Sequence, residues 1–292
     1  MKYWRRLPQF EYVAPGSLKE VCSLLREKGG TARVMAGGTV LLARWKERLG
    51  VCPHLISLKK VTNLDAVDFS EKSGVTIGAM ATLKKVNQSP LLQQRFTPLA
   101  MACGGIASPQ IRNMGTVGGN LCCRYPTAET VPPLVALGAK VKLVKSDGER
   151  VITVEELYQG ALKDEVVAEI QIPPLPSKSG GTYLKYTLRE ALDYPIVNVA
   201  VVVTLEKDNC KDVRIAVGAT APFPFRTRKA EELIKGNSLK EEMVKRAGQS
   251  VWEEVTPSSD AFFSGEYKKQ LIRVLTERAL RLSCERAKAA NI

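Results

Sequence analysis

The stretch that most constrains the fold is Ile111-Arg112-Asn113-Met114-Gly115-Thr116-Val117-Gly118-Gly119-Asn120, in which three glycines fall within five residues. Backbone of this composition can take positive φ and approach a ligand closely while presenting N–H groups and short side-chain donors. It suits an anion such as a diphosphate. An upstream segment has the same character: Ala32-Arg33-Val34-Met35 reads as a short buried strand that runs into Ala36-Gly37-Gly38-Thr39 and then the helical Val40 to Lys46. A strand ending in a glycine turn that opens a helix aims unpaired amides at whatever occupies the turn. The two segments are therefore read as halves of one site, although each alone also fits a tight turn between packed elements. Neither carries the G-x-G-x-x-G spacing or a closing Gly-Lys-Ser/Thr, so the better-known dinucleotide and triphosphate loops are excluded.

The rest of the composition narrows the chemistry. A chain of 292 residues, 45% hydrophobic and 25% charged, has room for two or three compact units with a substantial core. A single histidine, His54, removes most zinc sites and His-based triads. Seven cysteines form no disulfide framework. The opening Met1 to Pro8 has basic residues with no apolar run behind them, and no stretch is long enough to span a bilayer. Together these predict a cytoplasmic protein. The net charge of +13 is scattered rather than gathered into a stripe with aromatics, which ranks nucleic acid low and a solvated surface or a neutralising partner subunit above it.

In chain order, strand 10–13, a helix capped by Ser17, strand 32–35, a helix from Val40 and strand 54–58 form a small βαβαβ unit over residues 1–60. A mixed, strand-rich unit follows over 61–175. It has a strand at 74–79, helices starting at Thr82 or Asn87, proline breaks at Pro126, Pro132 and Pro133, a hairpin around Asp147-Gly148, and a strand at 166–172. Pro173 to Gly181 reads as a linker. The third unit, 176–292, has strands near 182–187, 196–205 and 213–219. Three amphipathic helices follow, the last with Leu271, Val274, Leu275, Ala279 and Leu282 on one face.

With these pieces laid out, the whole chain resembles the FAD-binding medium subunit of the molybdenum hydroxylase family. The most specific matches are Ala36-Gly37-Gly38-Thr39 with Leu41-Leu42, and Gln110 to Asn113 with Gly115-Thr116 and Gly118-Gly119-Asn120. Pro126, Pro132-Pro133-Leu134, Asp193-Tyr194-Pro195 and Ala219 with Arg226 continue the likeness. The resemblance implies an α+β fold of three parts. A small α/β domain and a mixed α+β middle domain make a PCMH-type FAD-binding fold, and a C-terminal domain has a three-stranded antiparallel sheet and helices.

The resemblance further implies that FAD lies between the first two domains. Its contacts would come from Arg33, Val34, Met35, Ala36, Gly37, Gly38, Thr39 and Val40 on one side and Thr116, Gly118, Gly119 and Asn120 on the other. Supporting contacts are implied from Ser108, from Glu129 to the sugar or ribityl hydroxyls, from the backbone at Ile172, and from Lys185 near the pyrimidine edge of the flavin, with Tyr194 covering one face of the ring. The family's electrons pass between a large molybdopterin-containing subunit, the [2Fe–2S] clusters of a small subunit and the flavin, in what is expected to be a dimer of heterotrimers. No residue of this chain is then needed as an acid or base, and no metal site is expected. The chain departs from the family at Val40, at Glu129 and at the bulky run Cys122-Cys123-Arg124-Tyr125. Those departures motivate the alternative of a flavin-free assembly module. The insertion that carries a four-iron cluster in one branch of the family is missing between Asn120 and Ala139.

Overall fold

The computed structural model describes residues 6–160, 162, 164–189 and 192–290, so the basic opening from Met1 to Arg5 lies outside the described residues. The first elements are β1 (Glu11–Val13), α1 (Leu18–Lys28), β2 (Ala32–Met35), α2 (Leu41–Lys46) and β3 (His54–Ser57). They form a parallel sheet in the order β1-β3-β2. Parallel neighbours require crossovers, and the two helices supply them. Ser17 caps α1 by accepting from the Glu20 N–H at 3.3 Å, and the Glu20 carboxylate accepts from Gly16 N–H rather than from Ser17 as a strict capping box would have it. Val21, Cys22 and Leu25 bury the inner face of α1.

The middle elements are β4 (Val67–Ser70), β5 (Gly74–Gly78), α3 (Leu83–Gln88), α4 (Pro90–Arg95), α5 (Thr97–Gly105), α6 (Pro109–Met114), α7 (Val117–Cys122), α8 (Val131–Ala136), β6 (Lys140–Lys145), β7 (Gly148–Thr153), α9 (Val154–Gln159) and β8 (Val166–Ile172). Their sheet runs β4-β5-β8-β6-β7, antiparallel throughout. Three expectations change here. The second glycine segment is helical rather than an open loop, because Ser108 and Thr116 cap α6 and α7 through Ile111 N–H and Gly119 N–H. Two caps at roughly 1 kcal/mol each offset the cost of the glycines. Pro132 and Pro133 do not break structure but sit in the first turn of α8, where an N–H is not needed. The second helix after Thr82 is capped by Ser89, not Asn87.

The last elements are β9 (Ser179–Tyr186), β10 (Val197–Glu206), β11 (Asn209–Gly218), β12 (Phe225–Arg226), α10 (Arg228–Ile234), α11 (Glu241–Glu254) and α12 (Gly265–Ala289). The antiparallel sheet runs β12-β11-β10-β9, with the two-residue β12 added to the three expected strands. β10 is buried on both faces, so it reads as a nearly unbroken apolar run. Val197, Val199, Val201 and Val203 face the C-terminal helices, and Ala200 and Val202 join the middle core. The stretch expected as linker ends early, since Gly180 and Gly181 lie inside β9. A Cβ on Gly180 would collide with Ala287 N and Ser283 O of α12, and one on Gly181 would sit 2.6 Å from Pro98 Cγ. The buried stripe of α12 is Ile272, Leu275, Thr276, Ala279, Leu280, Ser283 and Ala287, while Val274 and Leu282 face outward.

Candidate functional site

The two glycine segments meet. A Cβ on Gly37 would strike the carbonyl oxygen of Met114 and press on Gly115 Cα, so main chain packs on main chain where α6 gives way to α7. Only glycine allows that approach. The second segment is also tied to the middle sheet: Val117 N–H donates to Ala81 O at 3.0 Å, Gly118 N–H to Ala79 O at 3.1 Å, and Leu83 N–H to Gly115 O at 2.9 Å. Gly38 takes φ +73°, which turns the chain after β2 back over the Met35 side chain.

Between these segments lies a cavity of about 590 Å³, within the range of small-molecule and cofactor sites. Every residue from Arg33 to Val40 lines it, as do Thr116, Gly118, Gly119, Asn120, Glu129 and Tyr194. Tyr194 is 70% exposed and stands with Leu192. Three expected residues do not line it. Ser108 is spent as the cap of α6, and Lys185 stands behind Glu129. Ile172 is paired with Val75 inside the sheet. The part of β8 that does reach the cavity is its other end, Val166 and Val167. Arg44 and the pair Cys122-Cys123 also line it and are not among the residues expected to contact the cofactor. Of these Arg44 was findable, since it lies one helical turn beyond Val40.

The polar groups are unevenly shared. Among the described residues no hydrogen bond engages the amides of Gly37, Gly38, Thr39, Val40 and Leu41, so five consecutive donors are left for a ligand. In the second segment the amides of Val117, Gly118 and Gly119 are all spent internally. Of the amides from Thr116 to Gly119, only that of Thr116 has no hydrogen bond among the described residues, so the expectation that bare amides of both segments would hold a diphosphate narrows to the first segment and Thr116. Besides that amide the second segment offers side chains: buried Thr116, and Asn120, whose Oδ1 accepts from Thr130 and thereby directs its NH2 away. Arg44, on α2, donates to Tyr125 OH at 3.0 Å and brings positive charge to the rim. The Arg33 guanidinium is held by the carbonyls of Gly30 and Ala32.

Glu129 is the buried carboxylate of the lining, 4% exposed. Its Oε2 accepts from Lys185 Nζ at 2.8 Å and from Tyr183 OH at 3.0 Å. Burial pushes this carboxyl above its usual range, and the Lys185 ammonium and the Tyr183 hydroxyl pull the other way. Lys185 also donates to Gly105 O at 2.8 Å, so its charge is used inside the protein. Burial likewise pushes the Cys122 thiol up to about 12, helped by Cys123, and raises Cys123, which donates to Asn120 O. Both sulfurs are neutral small apolar lining rather than nucleophiles. Among the described residues no group of three or more His, Cys, Asp and Glu side chains is placed to hold a metal ion. Open amides, a cationic rim, an apolar interior and a buried carboxylate fit a dinucleotide with a fused aromatic ring.

Comparison with known proteins agrees. Residues 8–175 match the FAD binding domain in molybdopterin dehydrogenase, and residues 182–282 match the CO dehydrogenase flavoprotein C-terminal domain. The carbon monoxide dehydrogenase medium chain of Afipia carboxidovorans is 31% identical over 285 residues, 96% of this chain and 97% of its own length. The 6-hydroxypseudooxynicotine dehydrogenase complex subunit alpha of Paenarthrobacter nicotinovorans is 31% identical over 287 residues, 96% of each chain. Among solved structures, a chain of the carbon monoxide dehydrogenase of Hydrogenophaga pseudoflava superposes with a TM-score of 0.92 at 29% identity, covering 96% of this chain and 99% of that one.

Proposed function

The chain belongs to the family of FAD-binding medium subunits of molybdenum hydroxylase-type dehydrogenases, and from that premise we propose how its residues hold the cofactor and which partners it serves. The observation that carries the assignment is the run of five open amides, Gly37 to Leu41, on the wall of a cavity that both glycine segments line. These amides take the diphosphate, with Arg44 adding charge from α2. Thr116 and the Asn120 NH2 serve as side-chain donors from the opposite wall. Glu129 Oε1 accepts from a sugar or ribityl hydroxyl, and the main chain at Val166 and Val167 takes the place first expected of Ile172. Tyr194 closes the mouth over the ring. The flavin-free alternative is not favoured.

Bound FAD would supply exchange between one-electron and two-electron carriers. The protein's part is to bind, to orient and to exclude water. The cavity walls at Ile106, Leu83 and Met35 are apolar, so fixed dipoles act there with little screening. No side chain is asked to carry a proton to substrate, because the substrate chemistry belongs to a partner. We place the chain in a cytoplasmic complex with a large molybdopterin-containing subunit and a small [2Fe–2S] subunit, assembled as a dimer of heterotrimers, and divide it into units at 60/61 and 175/176.

Affinity purification of the tagged chain from its own host tests this. Two further subunits, with iron and molybdenum, should co-purify, and the visible flavin absorption should bleach when the complex is reduced. A colourless chain purified alone would contradict the assignment.

A further inference from the structure

We propose that Tyr183, which does not line the cavity, is a positioning residue that aims the Glu129 carboxylate at the cofactor, and that Asn198 and Lys185 complete the device. The inference rests on the FAD reading above. It begins from strand geometry. Tyr183 and Lys185 are two apart on β9 and so project from the same face, while Asn198 on β10 lies opposite Lys185 in register. All three belong to the C-terminal sheet, yet they converge on a carboxylate of the middle unit.

The direction of each hydrogen bond follows from donor counting. Asn198 Nδ2 donates to Tyr183 OH at 3.2 Å, which occupies the phenol oxygen as acceptor. The hydroxyl proton is then directed to Glu129 Oε2 at 3.0 Å, where Lys185 Nζ also donates. Both donors converge on Oε2, and Oε1 has no partner among the described residues. One oxygen is thus held by the protein and the other is presented to the cavity. The arrangement leaves Asn198 Oδ1 buried without a hydrogen bond among the described residues, and β11 must carry Gly218 beside it, where any Cβ would collide with that oxygen. A protein that leaves a buried acceptor unpaired in order to keep the NH2 group on Tyr183 is holding the phenol as a donor. The titratable groups facing Glu129 are Lys185 and Tyr183 from β9 and Cys103 from α5. The first two favour the charged carboxylate, and the neutral thiol does not oppose it.

The test is a double-mutant cycle read by FAD dissociation, using recovery of free-flavin fluorescence on dilution, over the range from mildly acid to neutral pH. Tyr183→Phe keeps the ring and removes only the donor. It should weaken FAD binding roughly tenfold, the scale of one hydrogen bond to a charged group. It should also move the acid fall in affinity to higher pH, since the carboxylate is easier to protonate without its donor. In the Glu129→Gln background Tyr183→Phe should add no further loss, and Lys185→Met should show the same dependence on Glu129. Overturning results are a Tyr183→Phe pH profile that superimposes on wild type, or losses that multiply in the double variant. If wild type itself binds no FAD, the cofactor reading falls and this inference with it, whereas a failed cycle on a flavin-binding wild type removes the inference alone.

Discussion

At the scale of single residues the site is decided by what cannot be larger than glycine. Gly37 and Gly30 are both glycines near β2, but a Cβ on Gly37 meets Met114 main chain and a Cβ on Gly30 meets nothing within 4 Å. Gly37→Ala should therefore cost about 1–3 kcal/mol of stability, as overpacking does, and should release FAD. Gly30→Ala should be silent within about 0.5 kcal/mol. Urea unfolding and flavin content measured on both variants check this, and equal behaviour of the two would contradict the packing argument. A second residue-scale prediction concerns acid. Lys268 and the amides of Phe262 and Phe263 hold the Asp260 carboxyl at about 2, below its ordinary 3.8. A depressed folded value stabilises the fold above the unfolded value and is lost as pH falls, here between about 4 and 2. The thermal midpoint of wild type should drop across that window more steeply than that of Asp260→Asn, and parallel curves would contradict it.

At the scale of elements the C-terminal sheet and α12 depend on Gly180. Its Cβ would enter the α12 main chain at Ser283 and Ala287, so Gly180→Ala should lower the unfolding midpoint and loosen α12 first. Amide hydrogen exchange should show early loss of protection in α12 with the first sheet unaffected, and uniform loss across the chain would contradict this. The same glycine shows where sequence reading ran out. Local signals located β1 to β3, the β6–β7 hairpin and β8, because alternation and turn residues are properties of neighbours along the chain. Gly180 and Gly181 looked like linker because the helix and proline they accommodate, α12 and Pro98, are remote in sequence. The caps Ser108 and Thr116 were legible residues, but the glycines beside them argued for loop until tertiary packing decided. α9 was missed although Thr153 and Glu156 form a full capping box, since the strand pattern before it masked the start. At the cavity, the first glycine turn was readable as a ligand wall. The consumption of the Val117 and Gly118 amides was not, because the carbonyls of Ala81 and Ala79 that take them lie more than thirty residues upstream.

At the scale of the whole molecule, segments associated with three separate sheets meet around one cavity. The first gives open amides and Arg44, the middle gives Thr116, Asn120 and Glu129, and the last holds Glu129 from behind through Tyr183 and Lys185. If the amides from Gly37 to Leu41 grip the diphosphate of FAD, affinity is decided at that end of the cofactor. Equilibrium titration of the flavin-stripped chain with FAD, followed by competition with ADP and with riboflavin, tests it most directly. One FAD should bind per chain and be displaced by ADP and hardly by riboflavin. Displacement by riboflavin but not by ADP, or no FAD binding at all, would contradict it.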